Sequence, residues 1–135
     1  WVDPNRFVKA CEEEAARVGL DGVAFRPSVF VPGFQKHKGA SCGGLEVHIT
    51  DRDRLDATLL GFVVVSAAYA LDPNRFGWRE EPYEFISDVP AIDLLTGSAD
   101  YREALEQGTS IGDVYASYHD ARAEFMARRA RCLLY

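Results

Sequence analysis

Ala57–Leu71, ATLLGFVVVSAAYAL, runs without a single charged residue and limits the folds open to this chain. It falls short of the roughly 20 apolar residues that cross a bilayer. It therefore reads as a buried helix, Leu55–Leu71, around which the rest of the sequence must wrap. The 135 residues suffice for one domain whose core needs neither disulfide nor metal.

Local signals arrange the remainder. Asp3-Pro4 starts a helix, because Asp caps free amides and Pro fits the first turn. Phe7, Cys11, Ala15 and Val18 share one face of it, and Gly19 suits its end. Val23–Val31 reads as extended, with Pro27 and Pro32 marking an edge. Leu45–Thr50 alternates, so Leu45, Val47 and Ile49 should face a core while Glu46, His48 and Thr50 face away. Asp51–Arg54 makes a charged turn. Asp72–Phe76 repeats Asp3–Phe7 letter for letter, but the flanks differ, which indicates shared helix-end and turn grammar and not a duplication. Gly77–Pro90 is irregular and carries Trp78, Tyr83 and Phe85 among charges. A short helical piece at Ile92–Leu95 ends at Gly97. Ser98 caps the next helix, which closes at Gly108. Ser110 and Asp113 open a long helix through Ile111, Val114, Tyr115, Tyr118, Phe125 and Met126. Leu133–Tyr135 completes the chain as a final strand. Few strands without βαβ repetition give an α+β fold, a single domain 1–135 with a small mixed sheet, barrel-like in one arrangement, against several helices.

The net charge of −6 and pI near 5.0 argue against nucleic-acid binding, which needs many phosphate-neutralising cations. Charge is uneven, however. Gly22–Arg54 holds five Lys and Arg against three carboxylates, and two of the three histidines, so an anionic ligand is favoured there. Cys11, Cys42 and Cys132 are far apart and show no zinc spacing, and His37 and His48 lack a spaced third ligand, so no metal is expected. Gly43-Gly44 lacks a phosphate-cradling pattern, and no cofactor is expected. Lys36, His37 and Lys38 surround Cys42 with the positive charge that favours a thiolate, without the local signature of a cysteine hydrolase. Glu46 and His48 stand roughly 7 Å apart on one strand face, close enough to touch one ligand. Glu46 and Asp51 are the carboxylates available for a glycosidase pair, whose members stand roughly 5–10 Å apart, but nothing in their spacing is specific to that role.

The order of the pieces adds more. GVAFRPSVF, then P-x-F-x-K-x-K-G at Pro32–Gly39, then CGG-x-x-x-H-x-TDR at Cys42–Arg52, resembles the C-terminal half of the exo-β-N-acetylmuramidase (NamZ-type) glycoside hydrolases, formerly a domain of unknown function. The similarity runs on through Asp72-Pro-x-x-Phe-x-Trp78, Leu95-x-Gly97, Arg102, Gly108, Phe125 and Leu133-Leu134-Tyr135. A start at Trp1 without Met reads as a processed or excised piece, and the resemblance implies the C-terminal half of a two-domain protein. Its partner would be an N-terminal Rossmann-like half of the same polypeptide carrying the catalytic glutamate, so no catalytic residue is expected here. It further implies a substrate-cleft or accessory role toward a MurNAc-containing saccharide or muropeptide, in an exported bacterial protein with no membrane span in this segment. Lys36, His48 and Glu46 are then the substrate-binding candidates. Cys42, Gly43, Asp51 and Arg52 are loop and turn scaffold. Gly33, where the family usually has Thr, is a departure beside the loop. The alternatives are a non-catalytic carbohydrate-binding module using the loop with Trp78 and Tyr83, and a hydrolase dependent on Cys42.

Overall fold

A computed structural model describes residues 1–134. Its order is α1 (Pro4–Val18), β1 (Val23–Phe30), β2 (Cys42–Ile49), α2 (Ala57–Leu71), α3 (Ala91–Thr96), α4 (Asp100–Gln107), α5 (Ile111–Ser117) and α6 (His119–Ala130). The α+β expectation holds. The sheet, however, is neither mixed nor barrel-like: β1 and β2 form an open antiparallel pair, with Val23 opposite Ile49 and Phe30 opposite Cys42. Each strand runs eight residues, and α1 packs on one face of the pair.

The apolar run becomes α2, starting at Ala57 because Asp56 accepts hydrogen bonds from the Thr58 and Leu59 amides. Phe62, Val63 and Ala67 of α2 meet Phe7, Cys11 and Ala15 of α1, with Tyr101 and Ile111 closing the core. Burying a side chain such as Val63 contributes about 1.5–3 kcal/mol. α1 begins at Asp3, whose carboxylate accepts from the Arg6 amide at 2.8 Å, and ends at Gly19 with φ 70°. The repeated pentapeptide shows how context decides. Asp3 caps a helix start, whereas Asp72 ends α2 and holds a single turn through the Asn74 amide.

Four further expectations are corrected. β2 starts at Cys42, so Cys42 and Gly43 belong to the strand and not to the loop. α1 covers Leu45 and Phe25 but not the far end of that face, leaving Val47 and Ile49 41% and 54% exposed. The long last helix breaks at Tyr118, where Ser117 bonds back to the Val114 carbonyl and the Tyr118 hydroxyl reaches Ser98, so Phe125 and Met126 lie exposed on α6. Leu133 and Leu134 form no strand; Tyr135 lies outside the described residues.

Candidate functional site

Antiparallel register puts Ala24, Arg26, Ser28 and Phe30 on the same face as His48, Glu46, Gly44 and Cys42. The other face carries Phe25 and Leu45 and rests on the helical core. The outward face is therefore polar in its middle. Glu46 accepts from Arg26 Nη2 at 2.5 Å and from Ser28 Oγ at 3.3 Å, while His48 Nε2 lies 3.6 Å away. The Arg26 hydrogen bond, foremost, holds the Glu46 carboxyl below the usual range against the opposing effect of burial. Glu46 and His48 are thus brought together as the alternation suggests. Arg26 and Ser28 complete the group, and only the register of β1 against β2 reveals them.

Two close approaches shape the strand end nearer the loop. A Cβ on Gly43 would fall 2.0 Å from the Val2 carbonyl oxygen, and one on Gly44 would fall 2.7 Å from the Phe30 ring. Glycine there lets the N-terminal segment cross one face and the Phe30 ring approach the other closely. Gly43 is a scaffold residue for this reason, in a strand and not a loop.

The Pro32–Ser41 loop folds back on itself. Gly39 N–H donates to the Pro32 carbonyl and Ala40 N–H to that of His37, with Gln35 and His37 both at φ 58°. Lys36, His37 and Cys42 line a concavity of about 440 Å³ with Trp1, Val2, Phe30 and Pro32. Lys36 Nζ donates to Glu81 at 3.2 Å, tying the loop to the Gly77–Pro90 segment. Lys36 thus stands at the loop end of the sheet, apart from the Glu46 group. From Cys42 to His48 the strand extends about 20 Å, so His48 is out of reach of the Cys42 thiol. That thiol donates to the Ala40 carbonyl at 3.6 Å.

Asp51 serves the turn: its Oδ1 accepts from the Asp53 and Arg54 amides, while Arg52 points into solvent. Gly33 has open space around its α-carbon, so a threonine side chain would fit there. Among the described residues, no group of three His, Cys, Asp or Glu side chains is placed to hold a metal ion, and no helix is long and apolar enough to cross a membrane.

A second concavity, about 330 Å³, lies between Trp78, Pro82, Ile86, Pro90 and Arg102. Arg102 is committed to Asp93 through three hydrogen bonds, and Trp78 donates to Glu106 at 2.8 Å. These contacts hold the irregular segment on α3 and α4. Tyr83 stacks with Arg79, and beside it Phe85 protrudes fully exposed with φ 66°, next to Glu84 at φ 49°.

The family described as Exo-beta-N-acetylmuramidase NamZ, C-terminal, matches residues 1–135. The peptidoglycan β-N-acetylmuramidase NamZ of Bacillus subtilis is 34% identical over 131 residues, which cover 96% of this chain and 30% of that protein. The crystal structure of a DUF1343 family protein from Bacteroides fragilis shares the fold with TM-score 0.72 at 26% identity, over 100% of this chain and 33% of the other. The chain spans about a third of the length of these relatives.

Proposed function

Because this chain belongs to the family of exo-β-N-acetylmuramidase NamZ C-terminal domains, we propose that it walls the saccharide cleft of a glycoside hydrolase releasing terminal N-acetylmuramic acid from peptidoglycan fragments. The wall comprises the Pro32–Ser41 loop and the outward face of the sheet. The observation that carries this reading is the concavity where Lys36 and His37 meet Trp1 and Phe30. Aromatic faces suit the apolar side of a sugar ring, and an ammonium suits the lactyl carboxylate of muramic acid. The Lys36–Glu81 pair is well exposed and solvent-screened, so an incoming carboxylate can replace Glu81. Further along the face, Glu46 accepts and His48 donates toward sugar hydroxyls.

The catalytic glutamate belongs, in this reading, to the amino-terminal region that makes up the rest of the relatives' length. A peptidoglycan substrate also implies an exported protein. Hydrolysis of a chromogenic N-acetylmuraminide tests the division of labour. The 135-residue chain should show no turnover, and a polypeptide that also carries the amino-terminal region should. Turnover by the 135-residue chain alone, lost in Cys42→Ser, would establish a cysteine hydrolase instead. Tight muropeptide binding by the chain alone, unaltered when the amino-terminal region is present, would make it a binding module.

A further inference from the structure

A concavity of about 390 Å³ opens between α1, α2 and the connection from α4 to α5, and it draws no residue from the sheet or the Pro32–Ser41 loop. Glu14, Arg17, Ser66, Tyr69, Leu105 and Thr109 line it. Two of these polar side chains are sunk into the fold: Glu14 keeps only 8% of its surface exposed and Ser66 only 6%. A glutamate is seldom buried so far unless its charge is answered. Here the answer is partial. Glu14 Oε2 meets Arg17 Nη1 at 2.7 Å, and the Arg17 side chain is 65% exposed at the rim. Among the described residues Glu14 Oε1 has no hydrogen-bond partner, yet no fully buried side-chain oxygen or nitrogen is left without one. Oε1 therefore keeps contact with the open space of the concavity.

Ser66 supplies a second acceptor. The Tyr101 hydroxyl gives its one proton to the Phe62 carbonyl, so its 2.9 Å contact with Ser66 Oγ is one in which Ser66 donates. The lone pairs of Ser66 Oγ remain for a donor in the concavity. A negative charge beside a second acceptor calls for a cationic donor, and an ammonium, with three N–H groups and no acceptor, fits that need. A divalent metal would find one carboxylate and one hydroxyl, too few of the oxygen ligands it takes. At the rim, the guanidinium N–H groups of Arg17 that Glu14 does not occupy suit a carboxylate. Because Glu14 and Arg17 are already in contact, the two charges of a ligand that meets both must also be neighbours. We propose that this concavity binds a free α-amino acid, its ammonium between Glu14 and Ser66 and its carboxylate on Arg17. Tyr69 and Leu105 offer the amino-acid side chain an apolar wall, and the Thr109 hydroxyl borders it. The ligand is neutral overall, as is the Glu14–Arg17 pair that receives it. The inference does not depend on the saccharide cleft.

NMR titration of the 135-residue chain with L-alanine tests it, followed at the amides of Ala70, Gly108 and Thr109. All three should shift and saturate together. Ethylamine and propionate each carry one of the two charges and should bind at least about tenfold more weakly, the loss of one charge-assisted hydrogen bond. Glu14→Gln should weaken alanine at least about tenfold for the same reason. If Glu14→Gln fails to fold, Ser66→Ala makes a smaller change and carries the same expectation. Arg17→Ala should remove the preference for alanine over ethylamine while ethylamine still binds. No saturable shift with alanine would overturn the proposal. Ethylamine binding as tightly as alanine would overturn it too, and would assign the concavity to simple amines. Saturation of the same three amides by N-acetylmuramic acid, unaffected by Glu14→Gln or Ser66→Ala, would give it to the saccharide instead.

Discussion

Arg26 and Glu46 face each other across β1 and β2, the guanidinium Nη2 2.5 Å from the carboxylate Oε2. The same oxygen lies 3.6 Å from His48 Nε2, so one carboxylate organises both bases on the outward face. Arg26→Ala should raise the Glu46 pKa toward the ordinary carboxylate range, read by NMR titration of its side-chain carbonyl. The sign is fixed by the depressed folded value. Any stability from this carboxylate is present above the unfolded pKa and fades as pH falls through the folded one. Without Arg26 that loss should shrink and end at higher pH, because the folded and unfolded values draw together. An unmoved Glu46 titration would show that Arg26 does not hold it.

Asp56 joins three elements. It caps α2 and accepts from Arg122 at 2.8 Å and from the Tyr115 hydroxyl. Burial alone would raise its carboxyl, but Tyr115, Arg122 and the Leu59 amide together bring it below the usual value. Asp56→Ala should cost about 1–2 kcal/mol in urea unfolding, the usual loss for a removed cap. It should also flatten the decline of stability below about pH 4, because the depressed carboxylate is the group being protonated there. An unchanged acid limb would exclude Asp56 from it.

The buried Tyr101 hydroxyl donates to the Phe62 carbonyl at 2.8 Å and lies 2.9 Å from Ser66 Oγ, its ring stacked on Phe62. Burial pushes its pKa up to about 12. Tyr101→Phe keeps the stack but strands those partners, and should cost about 1–3 kcal/mol. A neutral result would mean that water or Ser66 rotation satisfies them.

The alternating and capping patterns made much of this fold legible. Asp3-Pro4, Gly19 and the apolar run needed no tertiary knowledge, because caps and burial act locally. The start of β2 did not yield to the same reasoning. Glycine is poor in strands, and only the crossing of Val2 and the Phe30 ring explains why Gly43 and Gly44 belong in one. Val47 and Ile49 alternate as core residues do, yet α1 leaves them uncovered, so the pattern records a face without recording what lies on it. At the site, Glu46 and His48 were visible as strand neighbours. Arg26 and Ser28 join them through strand pairing, which sequence does not supply. Lys36 reads as their neighbour in sequence and is not one in space.

Glu84 and Phe85 form the centre of a two-residue turn closed by Tyr83 and Ile86, with φ 49° and 66°. Such turns favour Asn-Gly. Glu84→Asn with Phe85→Gly should therefore stabilise the fold by about 1–3 kcal/mol. A fall in stability would show that the Phe85 ring makes compensating contacts.

In the proposed cleft, Lys36 reads the lactyl carboxylate of muramic acid. Calorimetry should compare N-acetylmuramic acid with N-acetylglucosamine, which lacks that group, on the polypeptide carrying both regions and on its Lys36→Ala variant. A charge-assisted hydrogen bond corresponds to at least about a tenfold preference for the acidic sugar, and Lys36→Ala should erase it while leaving N-acetylglucosamine binding unchanged. A preference that survives intact in Lys36→Ala would contradict the claim.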